Sequence, residues 1–227
     1  MTMARRTLLN AQDRRELFDI PTDEDSLIGY YSLSPADRLE VELRRRGHNQ
    51  LGFAVQLCLM RYPGRALLPN ETPPGAMLNY IAGQLNADSR LFDFYARREE
   101  TRRDHTAYLL AYLGMKSATT QDRRAALLAG IDVAATTDKG VAIAKAIIGS
   151  FRERRVLLPA INTIEQLGLA CRRIARRRAE SALLSDLDLE KLEPLMHCWT
   201  LIRRSDRRAF TGCVLRPTRQ ERGIWSD

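Results

Sequence analysis

The chain is predicted to be all-α, with two small helix-turn-helix-like units followed by longer packed helices. Three observations carry that prediction. Helix-capping residues recur ahead of apolar stretches, at Asn10, at Ser34-Pro35 and at Thr119/Thr120. Apolar residues repeat at three- and four-residue spacings, most clearly in Val141, Ile143, Ala144, Ile147, Ile148 and Phe151. No run alternates apolar and polar residues for long enough to make a strand.

Taken in order, Met1 to Thr7 reads as a flexible basic arm carrying Arg5 and Arg6. Asn10 caps a helix through Phe18, and Pro21 stops it. A second short helix spans Thr22 to Tyr31. A third starts at Ser34-Pro35, carries Leu39 and Leu43 four apart, and ends in Arg44-Arg45-Arg46, charges that suit a helix C-terminus. Gly47 to Gln50 reads as a turn. Leu51 to Met60 is too apolar to face a groove and is assigned as a buried central helix, closed by Tyr62-Pro63-Gly64.

Residues 64–75 hold the densest cluster of Pro and Gly and are expected to be a linker. Beyond them come helices at Ala76–Leu85 and Ser89–Tyr95, a helix entered from Arg97–His105 and running to Leu113, and one from Gln121 to about Ala135. Thr137-Asp138 caps a further helix that ends in Arg152-Glu153-Arg154-Arg155, and Val156 to Pro159 is a short extended link. A long helix from Ala160 to about Leu184 turns Ile161, Ile164, Leu167, Leu169 and Ile174 inward. Its outward face carries Arg172, Arg173, Arg176, Arg177 and Arg178. A last amphipathic helix is expected at Leu187–Leu201. The expected domains are therefore a first helical unit at 1–66, a second at 67–135, a helical segment at 136–200 and a disordered basic tail at 201–227.

Composition narrows the function. At 227 residues with 44% hydrophobic side chains, the chain can bury a proper core. A net charge of +8 points to an acidic partner, nucleic acid or an anionic surface. Of 36 basic residues only Lys116, Lys139, Lys145 and Lys191 are lysines. Arginine offers a planar fork for phosphate or for the O6/N7 edge of guanine, although a G+C-rich genome would enrich it without any function. Cys58, Cys171, Cys198 and Cys213 form no CxxC pair and read as reduced thiols of a cytoplasmic protein. No apolar run approaches the roughly 20 residues of a membrane span.

No catalytic constellation emerges. There is no glycine-rich phosphate loop, no GxSxG and no HExxH, and His48, His105 and His197 lie far apart. His197-Cys198 with Cys171 lacks the ligand spacing of a zinc site. No metal, cofactor or small-molecule substrate is expected. The informative stretch is Arg97 to His105, basic at its start and followed by Tyr108, Leu109, Leu110, Tyr112 and Leu113. Such a helix can pack by one end and offer the other to a DNA groove, and it reads equally as a solvated charged helix start.

Several segments resemble the N-terminal region of Tn-three-family transposases. They are Arg5 to Leu9, Asn49 to Cys58 with Arg61 to Gly64, Tyr95 to His105, Thr137 to Gly140, Leu157 to Ala160 and Ile164-Glu165. The resemblance covers roughly residues 4–190 and lapses from about His197, where Arg203–Arg208 and Arg216–Arg222 follow. It implies an array of helical units that recognises transposon terminal inverted repeats in double-stranded DNA. It also implies that the magnesium-dependent carboxylate triad of the family lies outside this chain, which would then be a truncated, non-catalytic, nucleoid-associated DNA binder.

The expected DNA contacts are Arg44, Arg45, Arg46, His48 and Asn49 in the first unit, and Arg97, Arg98, Thr101, Arg102, Arg103 and His105 in the second. Arg172, Arg173, Arg176 and Arg177 are expected on phosphates. The alternative is a helical interaction or dimerisation module, pairing with itself or with a full-length transposase.

Overall fold

The computed structural model describes residues 7–68, 71–95 and 99–185, and among them every regular element is a helix. Nine are α-helices: α1 (Ala11–Phe18), α2 (Glu24–Tyr31), α3 (Pro35–Glu42), α4 (Gly47–Arg61), α5 (Gly75–Gln84), α6 (Glu99–Tyr112), α7 (Thr120–Ala134), α8 (Gly140–Glu153) and α9 (Ile161–Ser185). A 3-10 helix at Ser89–Phe94 precedes α6. The only β-type pairing among the described residues is an isolated parallel bridge between Lys116 and Val156. The expected Leu187–Leu201 helix and the 201–227 tail lie outside the described residues.

Local chemistry explains most boundaries. Asn10, Ser34 and Thr119 each cap a helix and close a reciprocal box with an aspartate three residues on, namely Asp13, Asp37 and Asp122. The Thr137-Asp138 cap expected for α8 is not formed. That helix opens at Gly140 after Lys139, without a side-chain cap. Gly47 to Gln50, expected to be a turn, is instead the first turn of α4. The turn lies one step earlier, at residues 43–46.

Two hydrophobic cores organise residues 1–177, which form one compact unit. The first joins α2 to α6. Leu51 to Met60 is buried along its whole length, as expected for a central helix, and Met77, Ile81, Phe92 and Leu109 pack around it. Helices α5 and α6, expected in a second unit, thus share the first core with α2–α4, and the loop at 63–74 does not divide it. Arg65 and Glu71 close that loop with a pair at 2.5 Å.

The second core joins α7, α8 and α9, and it also takes Leu8 and Leu9 from the chain start. The sequence reading placed those leucines with α2–α4. Glycines explain the difference. A methyl group at Gly168 would stand 2.2 Å from Leu8 Cδ2, and one at Gly140 would stand 2.1 Å from the Leu8 carbonyl oxygen. Only backbone without side chains lets Leu8 lie so close. Arg14 then donates to both Glu165 oxygens at 2.8–3.0 Å, tying α1 to α9. Beyond that unit the described residues 178–185 are the exposed end of α9.

Candidate nucleic-acid interface

The α3–α4 turn presents its three arginines unequally. Arg44 folds back, its guanidinium 4.2 Å from the Phe53 ring centroid and 4.3 Å from that of Tyr108. Glu40 stands 3.8 Å from its Nη2 and accepts the Tyr108 hydroxyl at 2.6 Å. Gln50 Nε2 donates to the Arg44 carbonyl at 2.9 Å and holds the turn from the α4 side. Between two rings and partly desolvated, such a cation contributes up to about 2 kcal/mol per contact. Arg45 and Arg46 are exposed, and His48 and Asn49 are half-buried. Helix α4 opens without a side-chain cap and without an acidic residue in its first turn, so its N–H groups are oriented for an anion.

Helix α6 splits the second expected segment. Arg97 and Arg98 lie outside the described residues. Thr101 is half-buried, and Arg102, 3.9 Å from Glu99, is mostly covered, whereas Arg103 is exposed. His105 faces the core, only 7% exposed, with its ring edge-on to Phe53 and stacked near Tyr95.

A chain of hydrogen bonds runs through this packing. Tyr95 Oη donates to Gln56 Oε1 at 2.8 Å, so His105 Nδ1–H donates to Tyr95 Oη at 3.0 Å and the imidazole is the Nδ1–H tautomer. Gln56 Nε2 donates to Thr106 Oγ1 at 2.6 Å, and Thr106 Oγ1 donates to the Arg102 carbonyl at 2.8 Å. Burial first, and then the positive charge of Arg44, push the His105 pKa down to about 4, with Asp104 opposing, so the ring is neutral at pH 7. A neutral, buried ring engaged through Nδ1 is placed to hold α6 on α4 rather than to reach a base.

The two segments expected from the sequence therefore meet at one seam, Arg44 against Tyr108 and Phe53 against His105. Gly52 makes that approach possible, because a methyl there would stand 2.0 Å from Tyr95 Cδ2. The sequence reading missed the aromatic clamp and the Gln56–Tyr95–Thr106 relay. The signal for them was faint: a glutamine inside an otherwise apolar run, and tyrosines near the basic stretch.

Arg172, Arg173, Arg176 and Arg177 ride on α9, which buries Ile164, Gly168, Cys171 and Ala175 in the second core. Arg172 is half-buried and donates to the Asp138 carbonyl, while Arg173, Arg176 and Arg177 are exposed.

Among the described residues no three His, Cys, Asp or Glu side chains are grouped to hold a metal ion. Cys58 and Cys171 are buried, and burial pushes their thiols up to about 12 and about 11. Both are inert packing groups. None of the described helices is long and apolar enough to cross a membrane.

What these features define is an all-helical domain with arginines displayed at helix starts over a tightly tied aromatic seam. The chain belongs to the family described as a domain of unknown function, DUF4158, whose model matches residues 8–171. It is also similar to Tn3-family transposases. It is 36% identical over 197 residues to the transposase for transposon Tn21 of Escherichia coli, covering 86% of this chain and 20% of that protein. The identity to the transposase for transposon Tn501 of Pseudomonas aeruginosa is likewise 36% over 197 residues, with the same shares. The transposase for transposon Tn3926 of Escherichia coli is 36% identical over 185 residues, 82% of this chain and 19% of that protein. The chain thus spans about a fifth of the length of the curated relatives it matches.

Proposed function

We propose that this domain binds double-stranded DNA sequence-specifically at the terminal inverted repeats of a transposon, serving transposition without catalysing strand transfer itself. The observation that carries the reading is that Arg45, Arg46 and Arg103 are exposed next to the Arg44–Phe53–Tyr108–His105 seam in sequence, in a chain similar to transposases over most of its length. His48, Asn49, Thr101 and Arg102 are further DNA contacts in this reading, as are Arg97 and Arg98, which lie outside the described residues. Arg44 and His105 act as positioning residues. Arg172, Arg173, Arg176 and Arg177 contact phosphates.

The test is a titration against a transposon-end duplex and a scrambled duplex at several salt concentrations. About six phosphate contacts predict a log–log slope near −5. Equal affinity for the two duplexes would rule out base readout, and a flat salt response would rule out nucleic-acid binding. Replacing Arg103 by Ala is expected to cost about 1–3 kcal/mol and to narrow the preference for the transposon end if it contacts a base. A uniform loss on both duplexes, with a slope shallower by about 1, would place it on a phosphate instead.

One observation favours a second reading, a protein-interaction module. Leu39 and Leu43, four residues apart on α3 and its cap, are 64% and 67% exposed rather than packed inward. Light scattering with and without DNA separates the readings. A stable dimer that ignores DNA, and that Leu39→Glu disperses, would favour the interaction module.

A further inference from the structure

The loop after α4, the end of α6 and the end of α8 enclose a cleft of about 300 Å³ where the two cores adjoin. Met60, Leu113, Met115 and Val156 make its apolar floor, and Arg61, Arg152 and Arg155 stand around it. Among the described residues no carboxylate lines it.

The three arginines differ in charge balance. Arg61 is neutralised by Asp37, which accepts from its Nη1 and Nη2 at 2.8 and 2.6 Å. Arg152 spends one N–H on the Pro63 carbonyl at 3.0 Å, a neutral acceptor. Among the described residues neither Arg152 nor Arg155 has a carboxylate within ion-pair distance.

Arg155 is the left-handed residue that ends α8, just past its cap at Arg154. Arg155 is held at φ +51°, a conformation that costs a non-glycine residue about 1 kcal/mol. Gly64 and Gly114 beside it are also left-handed, at φ +103° and +62°. The Arg155 carbonyl accepts from Lys116 N at 3.0 Å, and Val156 N donates to the Phe151 carbonyl at 2.9 Å, which pins the turn. Arg155 Nη1 then passes so close to Gly114 that a methyl there would stand 3.3 Å away. The observation that carries a proposal is a guanidinium without a carboxylate partner among the described residues, lining a cleft with an apolar floor.

We propose that this cleft binds a phosphate group, with Arg152 and Arg155 supplying charge-assisted hydrogen bonds and the apolar floor receiving the attached sugar or base. A backbone phosphate of DNA and the phosphate of a free nucleotide share that chemistry. Only the first of these sources rests on the DNA reading above.

The test uses the full chain and Arg155→Asn. Asparagine suits the left-handed backbone and removes the guanidinium, so the melting temperature without ligand should stay put. The probes are inorganic phosphate and a deoxynucleoside monophosphate, each against chloride at matched ionic strength, and a transposon-end duplex. The proposal expects phosphate or nucleotide to raise the melting temperature of the wild type, with binding roughly tenfold weaker in Arg155→Asn. If the variant also loses about 1 from the duplex salt slope, the occupant is DNA. If the variant loses nucleotide binding while duplex binding is unchanged or absent in both proteins, the cleft site stands and takes a free nucleotide, whatever becomes of the DNA reading. Equal responses of the two proteins to every probe overturn the proposal.

Discussion

Replacing Asp37 by Ala is expected to lower the unfolding free energy by about 3–4 kcal/mol at pH 7, a large part of the stability of a domain this size. Asp37 is fully buried and holds three helices together. Its carboxylate accepts from the Ser34 N–H and hydroxyl at 2.8 and 2.7 Å, closing the α3 cap. It also takes both Arg61 donors from α4, and the Tyr112 hydroxyl from α6 at 2.9 Å. Burial alone would raise its pKa, but Arg61, Ser34 and Tyr112 outweigh that and hold it down at about 2.

Removing the carboxylate strands a part-buried guanidinium and opens the capping box, the latter worth about 1 kcal/mol. Urea denaturation measures the loss. A change below about 1 kcal/mol would show that the hub is not a stability determinant. Because α3 carries the turn that aims Arg45 and Arg46, DNA affinity should fall as well. Asp37→Asn, which retains part of the cap, should fall between the variant and the wild type.

Acidification is expected to cost about 3 kcal/mol through His105 alone. Its folded pKa, about 4, lies below the ordinary value near 6.5. The unfolded chain therefore takes up a proton as the pH falls below about 6.5, while the folded protein does not until about 4. Stability is complete above that window, falls by about 1.4 kcal/mol per pH unit within it, and levels off below it. Asp37 contributes only lower down, its share being present above about 3.8 and lost as the pH falls through about 2. The measurement is unfolding free energy at half-unit steps from pH 7.5 to 4, comparing the wild type with His105→Gln. The variant should lose most of the slope between pH 6.5 and 4. Matching slopes would mean that His105 is not held neutral in the folded protein.

Much of this was legible in the residues. Caps at Asn10, Ser34 and Thr119 act within three residues, so local chemistry declares them. The run Leu51–Met60, apolar but for Gln56, reads as a buried element because it offers almost no polar side for solvent. The resemblance to transposases was likewise carried by short runs such as Leu51–Cys58 and Arg97–His105. At the candidate site the sequence singled out two basic stretches without distinguishing where each side chain would point. Arg44, Arg45 and Arg46 are identical in composition, yet one is clamped between Phe53 and Tyr108 and two face outward. Which one turns inward depends on rings contributed from α4 and α6, far apart along the chain.

The limits follow from the same cause. The sequence by itself determined the all-helical class, the caps at Asn10, Ser34 and Thr119, and the family, because each depends on spacing or on residue type. The tertiary structure alone decided that α5 and α6 join the first core, that Leu8 crosses to the second through the openings at Gly140 and Gly168, and that Arg155 lines a cleft with Arg61 and Arg152. These are contacts between residues many positions apart, selected by shape and charge compensation in three dimensions. Arg97–His105 shows the division in one stretch. Its pattern marked it as basic at the start and apolar beyond, and only packing turned its histidine from a candidate reader of DNA into the bolt between two helices.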